Sequence, residues 1–271
     1  MITGATRLVA VIGSPVTHSR SPAIHNAAFA VAGLDWVYVA LPVPPGAGFD
    51  AVRALPGLGI AGINVTMPHK ADAARACDEL SPAAARLASV NTVVVREDGT
   101  CFGDSTDGEG FLRSVAEAGL DPAGRTVLVL GAGGAARAVV GALVDAGAEV
   151  SVAARRPVAA NAVAATFAGV EAVAWPVTAA VTDAVVNATP LGMGEDTGLA
   201  VEPAPDQWIV DLVYDPTETP LLARARAVGA RPIGGLGMLI HQAALAFELW
   251  TGIEAPLAAM RAAAIGGQEA T

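Results

Sequence analysis

Three groups of residues in this 271-residue chain have types and spacings suited to chemistry. The first centres on Lys70 in "GINVTMPHK", the only lysine present; the other Lys/Arg-type cations are all arginines. An ammonium can lose its proton at accessible pH, whereas a guanidinium effectively cannot. Lys70 is therefore the single side chain of that kind able both to give and to take a proton, although a solvated surface charge is the plain alternative. On the strand before it, Asn64 and Thr66 alternate and can face one side. The second group is Ser19 and Ser21 in "HSRSP", two hydroxyls ahead of a helix and suited to a carboxylate. Ser21 would also serve simply as the helix N-cap, with Pro22 at the first helical position. Asn91 in "SVNT" and Asp107 in "STDGEGF" complete the polar candidates; a turn residue and a helix-end acid are the alternatives there.

The third group is "GAGGAARA". Gly131, Gly133 and Ala136 form G-x-G-x-x-A between an apolar strand and a helix. The first glycine permits the sharp turn, and the second lets backbone approach a pyrophosphate. The small third residue keeps helix and strand close, with the helix N-terminus facing the anion. In an NAD site the next strand usually ends in an acid; here it ends "SVAARRP", with Arg155 and Arg156. A guanidinium fork suits a phosphate, which favours NADP.

The elements that must hold these groups are legible as alternating strands and helices. "RLVAVIG", "WVYVALPV", "GIAGINVTMP" and "SVNTVVVRED" read as strands, with helices at Ser21 to Gly33 and around "KADAARAC". Thr106 and Glu109 fit a capping box at the start of a linking helix. A second α/β unit runs from "RTVLVLGAGG" through "DAVVNATPLGM" and "QWIVDLVYDP". The last long helix, "GMLIHQAALAFELWTG", carries Met238, Gln242, Leu245 and Leu249 as one stripe, a pattern typical of core, and the tail "GGQEAT" is expected to fray. The fold class is α/β with two domains, a mostly parallel-sheet domain and a Rossmann-type domain.

Composition narrows the partners. A net charge of −10 disfavours nucleic acid and anionic membrane, both of which reward basic patches. Cys77 and Cys101 lack metal or redox spacing. The N-terminus lacks a signal-peptide pattern, and apolar runs are broken before membrane-spanning length, so a soluble cytoplasmic protein is expected.

Taken together, "GSPVTHSRSPAIHN", "GINVTMPHK", "VNTVV", "GDSTDGEGF", "GAGGAARA", "NATPLGM", "DLVYDPTETPLL" and "GGLGMLIHQAALAFELWTG" resemble the shikimate dehydrogenase family, in the family's order. The resemblance implies NADP-dependent interconversion of 3-dehydroshikimate and shikimate in aromatic amino-acid biosynthesis. It makes Lys70 the acid/base group and Asp107 its partner. Ser19 and Ser21 take the substrate carboxylate, with Asn64, Thr66, Asn91, Tyr214 and Gln242 around the same substrate. Gly131, Gly133, Gly134, Ala135, Arg155, Arg156, Thr189 and Met238 fall to NADP. The resemblance also implies a substrate domain of residues 1–107 plus 240–271 and a cofactor domain of residues 108–239, meeting at a cleft, in a monomer or homodimer.

Three departures from the family pattern stand out: Ser105 and Pro190 replace the usual Asn and Ser, and Ala154-Arg155-Arg156 replaces Asn-Arg-Thr. The last keeps one phosphate-facing arginine but loses the polar contacts beside it. Two rival readings stand: a quinate or aminoshikimate dehydrogenase of the same family, and a non-catalytic NADP-sensing protein.

Overall fold

A computed structural model describes residues 2–194 and 199–266; residues 267–271 of the tail lie outside it. The chain divides into two compact units, Met1–Thr106 with Ile240–Thr271, and Asp107–Leu239.

The first unit contains β1 (Arg7–Gly13), α1 (Ser21–Val31), β2 (Trp36–Pro42), α2 (Gly48–Ala54), β3 (Ile60–Val65), α3 (Lys70–Ala76), β4 (Glu79–Leu80), α4 (Pro82–Leu87), β5 (Thr92–Val95) and β6 (Cys101–Asp104). Its sheet order is β2-β1-β3-β5-β6-β4. The β1, β2 and β3 strands run parallel, and β5 is antiparallel to both neighbours. The parallel part follows from apolar strands buried on both faces, with Val9, Ala10 and Ile63 wholly buried. One face packs Ala10, Ile12, Ile63, Val65 and Val93 against the small apolar faces of α2, α3 and α4.

An aromatic layer covers other ground in this unit. His25 stacks on Tyr38 with ring centres 4.4 Å apart, and Trp250 tilts against His25 at 5.2 Å. Phe29 stacks on Phe247. Gly62 makes room for Trp250: a Cβ there would lie 2.3 Å from its Nε1, which donates to Val93 O at 3.0 Å.

The fully buried His25 makes no hydrogen bond through either ring nitrogen, and burial pushes its pKa down to about 3, only partly offset by the Asn64 side chain. The folded state therefore holds this imidazole neutral while the unfolded chain protonates it near pH 6.5. Its stabilising contribution is complete above pH 6.5 and is lost at ~1.4 kcal/mol per pH unit as pH falls toward 3. Denaturant unfolding at pH 7 and pH 4.5 should show His25→Gln losing about 2–3 kcal/mol less than the parent over that interval. Equal losses would contradict the assignment.

The second unit contains α5 (Asp107–Glu117), β7 (Thr126–Leu130), α6 (Gly134–Asp145), β8 (Glu149–Ala153), α7 (Pro157–Thr166), β9 (Glu171–Val173), β10 (Ala184–Asn187), β11 (Trp208–Asp211), α8 (Pro220–Ala227) and β12 (Arg231–Gly234). All six strands are parallel, in the order β12-β11-β10-β7-β8-β9. This is the doubly wound Rossmann arrangement, and it sends every strand's C-terminal end to one edge. Its core gathers Leu128, Leu130, Val185, Ile209 and Leu222. On the other side of α6, Gly108 of α5 sits so close that a Cβ would lie 2.9 Å from Ala138 O.

The remaining helices are α9 (Leu236–Thr251) and α10 (Leu257–Gly266). In α9 the wholly buried positions are Ile240, Ala243, Ala246 and Phe247. The expected core stripe instead runs outward from buried Met238 through half-buried Gln242 and Leu245 to exposed Leu249. The buried face is instead built from Ile240, Ala243, Phe247 and Trp250, large and small residues together, with Ala244 and Ala246 beside it. Among the described residues no helix is long and apolar enough to cross a membrane.

Candidate functional site

In the first unit two of the polar candidates, Asn64 and Asn91, join one buried network that also takes in the Gln242 carbonyl. Tyr38 Oη donates to Asn64 Oδ1 at 2.7 Å, and Asn64 Nδ2 donates to Asn91 O and Thr92 Oγ1 at 3.2 and 3.1 Å. Both amide hydrogens of Asn64 are thus committed inside the protein, leaving a carbonyl lone pair as what this side chain offers a ligand. Asn91 Oδ1 accepts from Thr106 N at 2.8 Å, and Asn91 Nδ2 donates to Thr106 Oγ1 at 2.9 Å. Thr106 Oγ1 also donates to Gln242 O at 3.2 Å. Asn91, Gln242 and the residue preceding Asp107 are therefore tied together, and a fully satisfied buried network of this kind fixes positions closely.

The capping box expected at Thr106 and Glu109 does not form. The Thr106 hydroxyl is drawn to Asn91 and Gln242, while Glu109 pairs with Arg113 one turn on, at 2.9 Å. Asp107, buried at 7% exposure, opens α5, where the helix dipole favours a negative charge.

Lys70 is the first residue of α3 and is half-buried. Its carbonyl and the segment leading to it are held by backbone bonds. Thr66 N donates to Ile12 O, His69 N to Thr66 O, and Val90 N to Lys70 O, all within 3.0 Å. The neighbouring His69 is wholly buried and its Nε2 bonds Val43 O at 2.8 Å. The sequence carries no signal for His69 or Tyr38, because a residue that orients another shows no motif of its own, and it marks Thr106 only as a helix cap.

Ser21 is the first residue of α1 rather than its cap; Arg20 holds the N-cap position in αR conformation without a side-chain bond. Ser21 N donates to Ser19 Oγ at 3.3 Å. Ser21 is buried and Ser19 half-buried. Arg20 between them donates to Ala264 O, placing its guanidinium near the C-terminal end of α10, where a cation is favoured.

In the second unit the candidates lie along the C-terminal edge of the sheet. Gly131 follows β7 with φ +123°, and a Cβ on it would lie 2.7 Å from Ala188 O, so the turn tolerates no side chain. Gly131 N donates to Ala153 O at 2.8 Å, which ties the turn to the end of β8 and the exposed Arg155 and Arg156 just beyond. Gly133 is exposed with open space above its α-carbon. Gly134 and Ala135 lie in the first turn of α6, whose leading N–H groups have no carbonyl behind them. A narrow turn, open backbone donors and two cations fit a phosphorylated dinucleotide.

Thr189, Tyr214 and Met238 follow β10, β11 and β12 on the same edge, which parallel strand order alone brings about. Thr189 is bound inward: its Oγ1 donates to Asn187 Oδ1 at 2.7 Å and accepts from Leu191 N. Tyr214 is half-buried and Met238 buried. Among the described residues no group of three or more His, Cys, Asp or Glu side chains could hold a metal ion.

The fold and this edge define an α/β protein with a Rossmann-type unit joined to a second α/β unit. The chain belongs to the shikimate dehydrogenase family. Residues 11–93 match the shikimate dehydrogenase substrate binding domain and residues 235–265 the shikimate 5'-dehydrogenase C-terminal domain. A shikimate dehydrogenase (NADP(+)) from Moorella thermoacetica is 48% identical over 96% of this chain and 92% of its own length. The structure of shikimate 5-dehydrogenase from Thermus thermophilus in complex with NADP(H) and shikimate has a TM-score of 0.88, with 40% identity over 96% of this chain and 99% of that one. Quinate dehydrogenase from Corynebacterium glutamicum in complex with NAD also has a TM-score of 0.88, at a lower 34% identity over 96% of this chain and 99% of that one.

Proposed function

We propose that this protein is an NADP-dependent oxidoreductase that interconverts 3-dehydroshikimate and shikimate. The near-full-length likeness to a protein named shikimate dehydrogenase (NADP(+)) carries this reading. The open Gly131–Gly133 turn and the Arg155–Arg156 pair support the cofactor part of it.

When bound, NADPH supplies a hydride to the C3 carbonyl carbon. Lys70, as ammonium, donates a proton to the oxygen that gains charge, and in the oxidative direction its neutral amine accepts that proton. Positioned proton transfer of this kind contributes about 10²–10⁴ in rate. The backbone bonds around Lys70 fix the point from which its flexible stem extends. Asp107 is the lysine's proposed partner: an opposite charge nearby favours the ammonium and holds its direction. Ser19 and Ser21 take the substrate carboxylate. Thr66, Asn91, Gln242 and Tyr214 bind around the ring, and Asn64 acts mainly by holding Asn91 and Thr92. Residues 1–107 with 240–271 form the substrate domain, and residues 108–239 the cofactor domain.

The test is a crossed assay of nicotinamide reduction with shikimate or quinate, each with NADP⁺ or NAD⁺. Turnover should be fastest by far with shikimate and NADP⁺. Faster turnover with quinate and NAD⁺ would move the protein to the sister activity. Binding of NADP⁺ with no turnover on either acid would leave the sensing role.

A further inference from the structure

Two polar side chains at the ends of neighbouring strands, Asn187 closing β10 and Asp211 closing β11, are wholly buried in the second unit. Asn187 Nδ2 donates to Asp211 Oδ1 at 2.8 Å and to Leu191 O at 3.0 Å, while Asn187 Oδ1 accepts from Thr189 N and Thr189 Oγ1 at 3.0 and 2.7 Å. All four hydrogen-bonding directions of this amide are filled, and three of them shape the turn that carries Thr189. Asp211 Oδ1 also accepts from Val213 N at 3.1 Å, and its Oδ2 accepts from Thr219 Oγ1 at 2.7 Å. That hydroxyl in turn caps α8 through Leu222 N. One carboxylate thus ties the turn after β10 to the start and the end of the loop containing Tyr214.

A buried carboxylate costs stability, because water solvates it better than any neutral neighbour can. Burial indeed raises the Asp211 pKa, against the opposing bonds from Thr219, Val213 and Asn187. An apolar pair at these strand ends would be easier to bury. What the acid provides is an acceptor with enough lone pairs to bind three donors from two loops at once, a geometry no apolar side chain reproduces.

We propose that Asp211, acting through Asn187 and Thr219, is a positioning residue for the cofactor, setting the Thr189 turn and the Tyr214 loop at the edge where NADP(H) binds. The proposal rests on the cofactor reading above. Asp211→Asn places a donor where Asn187 or Thr219 already donates, and Thr219→Val removes one donor with little change in volume. Titration of the full chain with NADPH, followed by nucleotide fluorescence, should show a Kd raised about tenfold in D211N and severalfold in T219V, as for loss of a hydrogen bond to a buried charge. T219S, which keeps the hydroxyl, should bind NADPH like the parent. In turnover the KM for NADP⁺ should rise with the Kd, and the KM for shikimate should rise less, through the Tyr214 loop alone. Unchanged NADPH affinity in T219V, or in a folded D211N with a lowered Tm, would overturn the proposal and leave the cluster a stability element. If D211N does not fold, T219V against T219S decides. The titration needs no shikimate turnover, so an inactive parent that binds NADPH would defeat the shikimate reading without defeating this one.

Discussion

Replacing Lys70 by alanine is expected to lower kcat for shikimate oxidation by about 10²–10⁴ while leaving the Kd for NADPH within about twofold. The size follows from removing the proton-transfer group, and the selectivity from its place in the fold. Lys70 opens α3 in the first unit, whereas the glycine turn and both candidate phosphate-binding arginines belong to the second. The chain offers no other lysine, so no neighbouring ammonium can substitute. Lys70→Arg is an instructive companion, since it keeps the positive charge but not the ability to release a proton near neutral pH. It should bind substrate better than the alanine variant and turn over hardly faster. Near-parent kcat in either variant would end the acid/base assignment.

Arg155→Ala is expected to weaken NADP⁺ by about 10- to 100-fold while changing NAD⁺ binding little, because a guanidinium bonded to phosphate contributes roughly 1.5–3 kcal/mol. Arg155 is exposed just past β8, and the bond from Gly131 N to Ala153 O holds that strand end beside the glycine turn. Arg156 occupies the N-cap position of α7 and is exposed as well. With Ala154 buried and offering no polar side chain, these two arginines are the cations at this strand end. If the phosphate is shared between them, the double variant R155A/R156A loses more than either single one. Equal weakening of NADP⁺ and NAD⁺ in R155A would remove the phosphate contact from the account.

Much of the fold was legible because it rests on local signals. The apolar run before "GAGGAARA" is short, rich in Val and Leu and closed by glycine, which favours a buried strand, and Gly131 indeed has the positive φ that its turn requires. The alternation of strand and helix over the first hundred or so residues pointed to a mostly parallel sheet, and there β1, β2 and β3 are parallel while β5 runs against both neighbours. What stayed hidden depends on partners distant in sequence. Nothing near Thr106 shows that its hydroxyl will bond Gln242 O rather than cap its own helix, because the competing acceptor lies 136 residues away. Ser21 looked like a cap by type, yet the helix begins at Ser21 itself and Ser19 receives its N–H. The α9 stripe misled for a related reason: the helix offers two apolar stripes, and only its tertiary neighbours decide that the one through Ile240, Ala243, Phe247 and Trp250 is buried while Leu249 is exposed. Asn64 was recognisable as polar and inward, but only the bonds from Tyr38 and to Asn91 and Thr92 show that its amide hydrogens are already engaged.

The most direct measurement follows the reductive direction with the intact chain: NADPH absorbance after addition of 3-dehydroshikimate, with the product identified by mass and chromatography. The account predicts that one NADPH disappears for each shikimate formed. NADPH that binds but is not consumed, or that is consumed without shikimate appearing, would contradict it.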